Sequence, residues 1–76
     1  MNVELISIGD ELLIGQTVNT NASFLGKTLN TNGFIVSRTV VVSDSEDAIL
    51  SSLKDASTRA TIVLITGGLG PTKDDI

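Results

Sequence analysis

The sequence predicts an α/β fold, a three-layer sandwich with a mainly parallel sheet between helices, of which the chain carries the first βαβαβ part. Three observations lead there. Short runs of branched apolar residues alternate with segments whose apolar residues recur at helical spacing. The connections are short, and strand, helix, strand, helix, strand in that order makes two consecutive βαβ units, which are right-handed almost without exception. A loop with three glycines in four residues, Gly67-Gly68-Leu69-Gly70, directly follows the last apolar run.

Glu4 to Ile8 is rich in branched apolar residues and stops at Gly9-Asp10, the pattern of a mostly buried strand. Glu11 to Gln16 reads as a loop or short turn. Val18, Ala22, Leu25 and Leu29 then follow at steps of four, three and four, which places them on one helical face. Asn19 or Asn21 is expected to cap that helix, and Gly33 suits the left-handed residue beyond its end. Phe34 to Val42 is dominated by β-branched residues, which favour a pleated strand. Ser43-Asp44-Ser45-Glu46 matches a capping box, with a helix expected to begin near Asp44 or Ser45. Ile49, Leu53 and Ala56 form its expected inward face, with Leu50 beside them. Thr61 to Thr66 is the third strand. A parallel sheet needs helices on both faces, and the chain stops at Ile76 where a third helix is expected to start. Residues 1–76 are therefore read as the amino-terminal part of one domain.

Composition narrows the function. The chain has 76 residues, 41% of them hydrophobic, and no cysteine or histidine. A disulfide framework and a thiolate metal site are thus excluded, as are a Ser-His-Asp triad and a cysteine nucleophile within these residues. The longest apolar runs fall far short of the roughly 18 residues a membrane span requires, and the start lacks a basic leader, so a cytoplasmic protein is expected. Net charge is −4, and the five basic residues, Lys27, Arg38, Lys54, Arg59 and Lys73, are scattered, which argues against a nucleic-acid partner.

In an open parallel sheet, ligands bind beyond the carboxyl ends of the strands. That nominates Gly9 to Gln16, Ser43 to Glu46, and Gly67 to Asp75. The glycines of the third loop can take positive φ and bring backbone amides close to an anion. Pro71 fixes φ before an expected helix start, and Thr72 with Asp75 resembles a second capping box, so free amides and the positive helix end would face the same phosphate. The P-loop and the dinucleotide fingerprint do not fit, the latter because Lys73 stands where a glycine is needed. A plain tight turn is the structural alternative for these glycines.

Asp10 and Glu11 follow the first strand as Asp74 and Asp75 follow the third. Whether the two acidic pairs meet depends on strand order. Four carboxylates around a phosphate would repel it unless a hard divalent cation, Mg²⁺ foremost, bridges them. Acidic residues in a first helical turn also stabilise the helix dipole without any ligand, so Asp75 reads equally as cap or ligand. Asn19, Thr20 and Asn21 read first as caps and second as hydrogen-bonding groups for a ribose or a pterin.

Three segments together carry a family resemblance: Ser7-Ile8-Gly9-Asp10-Glu11-Leu12-Leu13-Ile14-Gly15, then Asn19-Thr20-Asn21, then Thr66-Gly67-Gly68-Leu69-Gly70-Pro71-Thr72-Lys73-Asp74-Asp75. In that order and spacing they resemble the amino-terminal domain of the competence/damage-inducible CinA family. The resemblance implies a molybdopterin-binding-like fold, shared with molybdenum-cofactor proteins of the MoaB, MogA and MoeA kind. It also implies hydrolysis of ADP-ribose to AMP and ribose 5-phosphate, dependent on a metal. Carried onto this sequence, Gly67, Gly68, Gly70 and Thr72 would hold phosphate. Asp10, Glu11, Asp74 and Asp75 would bind or position metal and water, with Asp10, Asp74 and Asp75 in the catalytic role. The nicotinamide mononucleotide deamidase that many family members carry in a separate carboxyl-terminal domain is not implied for these residues. The expected partner is therefore a small nucleotide of the ADP-ribose kind, or a pterin held without turnover. A fragment that folds only when completed, with sheet edges that promote a homo-oligomer, is the third reading.

Overall fold

The computed structural model describes residues 2–15 and 19–67. Their elements run β1 (Asn2–Ile8), α1 (Asp10–Leu13), α2 (Thr20–Thr31), β2 (Ile35–Val42), α3 (Glu46–Ser57) and β3 (Ile62–Gly67). All three strands are parallel, in the order β2-β1-β3. The expected α/β architecture is thus present, and β1 is central. None of the described helices is long and apolar enough to cross a membrane.

Alternation along β1 assigns the two faces. Glu4, Ile6 and Ile8 point to one side, where Ile6 and Ile8 form a core with Ala56 of α3. Val40, Val42, Ile49 and Val63 pack against that core. Val3, Leu5 and Ser7 point to the other side, which α2 covers: the Asn19 amide at its start donates to Ser7 Oγ at 2.9 Å. Both sets are fully or almost fully buried. The two helices therefore lie on opposite faces, as right-handed crossovers to neighbours on either side of β1 require.

The helix boundaries have local causes. Asn19 caps α2, its Oδ1 accepting from the Ala22 amide at 3.3 Å, and Gly33 takes φ 87° just beyond the helix. The capping box expected from Ser43 and Glu46 does not form. Ser45 is the cap instead, extended at φ −134° and accepting from the Ala48 amide at 3.3 Å, while Ser43 Oγ lies 3.3 Å from Ser45 Oγ. The shift follows from the preceding residue, since the Asp44 amide is held by the Asp10 carboxylate and Ser43-Asp44 remain part of the loop.

Three further expectations are corrected. The segment from Glu11, expected as a loop or short turn, begins within the single helical turn α1, closed by bonds from Leu13 N to Gly9 O and Ile14 N to Asp10 O. Leu50 is 54% exposed, because the stripe of α3 that faces the sheet runs through Ile49 and Ala56. The first strand begins at Asn2, whose Oδ1 accepts from the Thr61 amide and hydroxyl at 3.1 Å each and so extends the β1–β3 ladder. Val18, expected on the inner face of the first long helix, lies outside the described residues.

Glu4 is the one buried carboxylate among the described residues, 4% exposed, and it is paired. Arg59 grips it with both ends, Nε donating to Oε2 at 2.9 Å and the second guanidinium nitrogen to Oε1 at 3.0 Å. The hydrogen bonds from Arg59 hold the Glu4 carboxyl below its ordinary 4.5 against the opposing effect of burial, and the pairing raises Arg59.

Two predictions follow from this packing. Ile6→Ala removes the centre of the α3-side core and is expected to cost about 2–5 kcal/mol. That is comparable to the roughly 3–5 kcal/mol such a small core supplies in all, so chemical denaturation should show the variant largely unfolded without denaturant. Glu4 contributes stability above its unfolded pKa that is lost as pH falls through its lower folded value. Denaturation midpoints of Glu4→Gln and the parent should therefore differ at neutral pH and converge on acidification below 4.5.

Candidate functional site

The register brings the three strand ends level. Ile8 lies beside Val42 on one side and Gly67 on the other. Chain direction reverses across the sheet here, because β1 connects to its neighbour on one side and β2 then crosses to the opposite side of β1. The gap between β1 and β3 is therefore the topological switch point, where open α/β sheets form their ligand crevice. Strand order, which the sequence left open, places the turn after β1 next to the departure of the chain from β3.

Asp10 and Glu11 open α1 on that edge, both exposed. The Asp10 side chain is engaged, its Oδ1 accepting from the Asp44 amide at 3.2 Å. Gly9 N donates to Val42 O at 3.1 Å, so two hydrogen bonds fasten the turn after β1 to the loop after β2. Glu11 folds back over Gly9, its Oε2 standing 2.9 Å from where a Cβ on Gly9 would lie. Asn19 fills both of its hydrogen-bonding roles within the fold, to Ser7 and to Ala22. Asn21 is exposed on the first turn of α2.

Gly67 ends β3 at φ 85°, and a Cβ there would stand 2.4 Å from Ile8 O. Both constraints demand glycine. The positive φ favours it, and the close approach of two backbones forbids a side chain. Gly67 thus ends β3 at the switch point in a conformation and a space that suit glycine alone. Gly68, Gly70, Thr72, Asp74 and Asp75, nominated with it from the sequence, lie outside the described residues.

Oxygen-only carboxylate donors are what a hard divalent cation takes. Among the described residues, however, no group of three or more Asp, Glu, His or Cys residues gathers to hold one. Asp10 and Glu11 are two carboxylates on this edge, and Asp74 and Asp75 lie outside the described residues.

A cavity of about 160 Å³ opens elsewhere, between α3 and the sheet, bordered by Glu4, Arg38, Ser52 and Arg59. It lies under α3, along β2 from Arg38 to Val42. Its polar groups are chiefly the Glu4–Arg59 pair that closes the fold, so it is not the candidate site.

Sequence reasoning missed two groups at the strand ends. Ser7 is 1% exposed and anchors Asn19, and its only signal was a lone hydroxyl residue in an apolar run. Asp44 was read as a helix-start residue, whereas its amide is what Asp10 holds. Its signal was its place directly after a strand neighbouring β1.

A three-stranded parallel sheet in the order β2-β1-β3, with helices on both faces, defines a doubly wound α/β domain. Residues 4–76 match the family model described as a probable molybdopterin binding domain, and the chain belongs to that family. A CinA-like protein of Chlorobium phaeobacteroides is 57% identical over 72 residues, 95% of this chain and 17% of that protein. A CinA-like protein of Chloroherpeton thalassium is 57% identical over 76 residues, all of this chain and 18% of that protein. The crystal structure of a CinA of unknown function from Thermoplasma acidophilum superposes with a TM-score of 0.91 at 44% identity, covering 97% of this chain and 44% of that one. The chain therefore spans less than a fifth of these two curated relatives and less than half of the solved structure.

Two of the three described positive-φ glycines, Gly33 and Gly67, give a paired prediction. Gly33→Ala meets no atom within 4 Å and should cost only the left-handed penalty of about 1–2 kcal/mol. Gly67→Ala adds a collision with the β1 backbone and should cost clearly more. Thermal denaturation of the two variants side by side checks the order.

Proposed function

We propose that the carboxyl edge of this sheet binds the phosphates of a nucleotide of the ADP-ribose kind, and that the complete domain hydrolyses its pyrophosphate bond. The observation that supports this reading best is the adjacency of β1 and β3, which pairs Ile8, two residues before Asp10, with Gly67, the first of the clustered glycines. In this reading Gly67, Gly68, Gly70 and Thr72 cradle phosphate with backbone amides and a hydroxyl. Asp10, Glu11, Asp74 and Asp75 are the candidate carboxylates for a divalent cation such as Mg²⁺, which when bound would neutralise charge between them and the phosphates. Asp10 has a second duty, holding the β2–α3 loop through the Asp44 amide. Asn21, exposed on the first turn of α2, is the candidate for the nucleoside part, whereas Asn19 serves the fold.

The family description favours a second reading, in which the same edge holds a pterin without turnover. Both readings use an anion held at the switch point. They differ in whether a bond is broken.

Titration calorimetry of ADP-ribose into the folded chain, with Mg²⁺ and with a chelator, tests the proposal. Heat of binding only with Mg²⁺ is the expected result. A folded chain that binds a pterin phosphate but no ADP-ribose would transfer the proposal to the second reading. In a longer relative that hydrolyses ADP-ribose, the Asn variant of the residue matching Asp10 keeps an acceptor for the loop amide while losing the charge. Turnover there should fall by at least roughly tenfold, about 1.4 kcal/mol of barrier, with thermal stability preserved.

A further inference from the structure

The turn between α2 and β2 holds a reactive pair of residues. The chain has asparagine at positions 2, 19, 21, 30 and 32, and only Asn32 is followed by glycine. An asparagine side chain is attacked by the backbone nitrogen of the next residue when nothing crowds that nitrogen, and a glycine, lacking Cβ, crowds it least. Asn32 and Gly33 are both exposed, and a Cβ built on Gly33 would meet no atom within 4 Å. Water and space for the reaction are therefore at hand.

The fold nevertheless keeps the two reacting groups apart. Asn32 ends α2 at φ −95° and ψ 14°, which turns the Gly33 nitrogen away from the Asn32 side chain. Ring closure needs that nitrogen and Cβ on the same side of the Cα–C bond. The side-chain amide is drawn back along the helix, Nδ2 donating to Thr28 O at 2.7 Å. Gly33 N donates to Asn30 O at 3.1 Å, and Phe34 N donates to Leu29 O at 2.9 Å, the paired bonds that close a helix on a left-handed glycine, here at φ 87°. Nucleophile, electrophile and the rotation between them are thus all held by the last turn of α2.

We propose that Asn32 is a site of spontaneous modification, converted to aspartate or isoaspartate through a cyclic imide with Gly33, and that opening of the last turn of α2 gates the conversion. Gly33 N loses its proton and bonds to Asn32 Cγ; the Cγ–Nδ2 bond breaks, and Nδ2 leaves with a proton as ammonia. Water then opens the imide. Attack at Cγ gives aspartate, and attack at the backbone carbonyl gives isoaspartate, in which the chain runs through the side-chain carbon. Either product puts a carboxylate at the negative end of the helix dipole and removes the donor to Thr28 O. Isoaspartate also adds a methylene to the backbone between Leu29 and Phe34, where the chain enters β2. The modified turn closes less well, so the change loosens the junction that feeds β2.

Ageing the chain at mildly alkaline pH tests this, with one sample folded by circular dichroism and one unfolded in guanidinium chloride. Peptide mapping by mass spectrometry locates the conversion, and released ammonia gives its rate. Conversion is expected first at Asn32 in both samples, and at least roughly tenfold faster in the unfolded one, since the folded chain reacts only through local opening. Hydrogen exchange supplies an independent measure. Because both events need Gly33 N freed from Asn30 O, the ratio of the two rates should equal or exceed the exchange protection of the Gly33 amide. Asn32→Gln, whose longer side chain closes a ring poorly, should lose the early release of ammonia. Equal rates in the two samples, a ratio below the Gly33 protection, conversion of another asparagine ahead of Asn32, or undiminished ammonia from Asn32→Gln would overturn the proposal.

Discussion

β1 has a neighbour on every side: β2 and β3 along its edges, α2 over one face and α3 over the other. Every residue from Val3 to Gly9 is buried, and no other described stretch comes close to that length of burial. A strand enclosed on both faces cannot alternate polar with apolar, and its two polar exceptions must be satisfied internally. They are, Glu4 by Arg59 and Ser7 by Asn19. Each partner sits where a helix meets the rest of the chain, Arg59 just after α3 and Asn19 just before α2. The buried polar groups therefore set where the two helices lie relative to the strand as well as meeting their own hydrogen-bonding needs.

The candidate site inherits its geometry from that arrangement. Because β1 is central, its carboxyl end is flanked by the ends of both other strands, and the turn that follows can be tied to one while it faces the other. The tie is to β2, through Gly9 N and Asp10 Oδ1. On the other side the backbones of Ile8 and Gly67 approach closely enough that only glycine fits. One side of the turn is thus fixed by hydrogen bonds and the other by the absence of a side chain.

Local chemistry made most of the elements legible in the sequence. Helical spacing from Ala22 to Leu29, β-branched residues from Ile35 to Val42, and Gly33 after the helix each report a preference that acts over a few residues, and each was realised. Misreadings arose where a long-range bond outranked a local one. Ser43 and Glu46 fit a capping box, but the hydrogen bond from Asp44 to Asp10, 34 residues earlier, moved the cap to Ser45. Strand order was illegible for the same reason, as no spacing states which strand a helix returns to. Glu4 and Arg59 are 55 residues apart, and nothing near either one announces the other. Of the site, Asp10 and Gly67 were nominated from their neighbours in sequence, whereas the pairing of Ile8 with Gly67 belongs to the sheet.

The enclosure of β1 also has a meaning in time. β1 is made first, yet its second edge is closed only by β3, and the ion pair that satisfies Glu4 needs Arg59. Non-local parallel pairing of this kind is slow, because loop-closure entropy is lost before the contacts form. As synthesis proceeds from the amino terminus, the most buried of the described strands waits through two helices and a strand for its last neighbour. During that interval it is the segment with the most to gain from a chaperone, and the one a stalled ribosome would leave exposed.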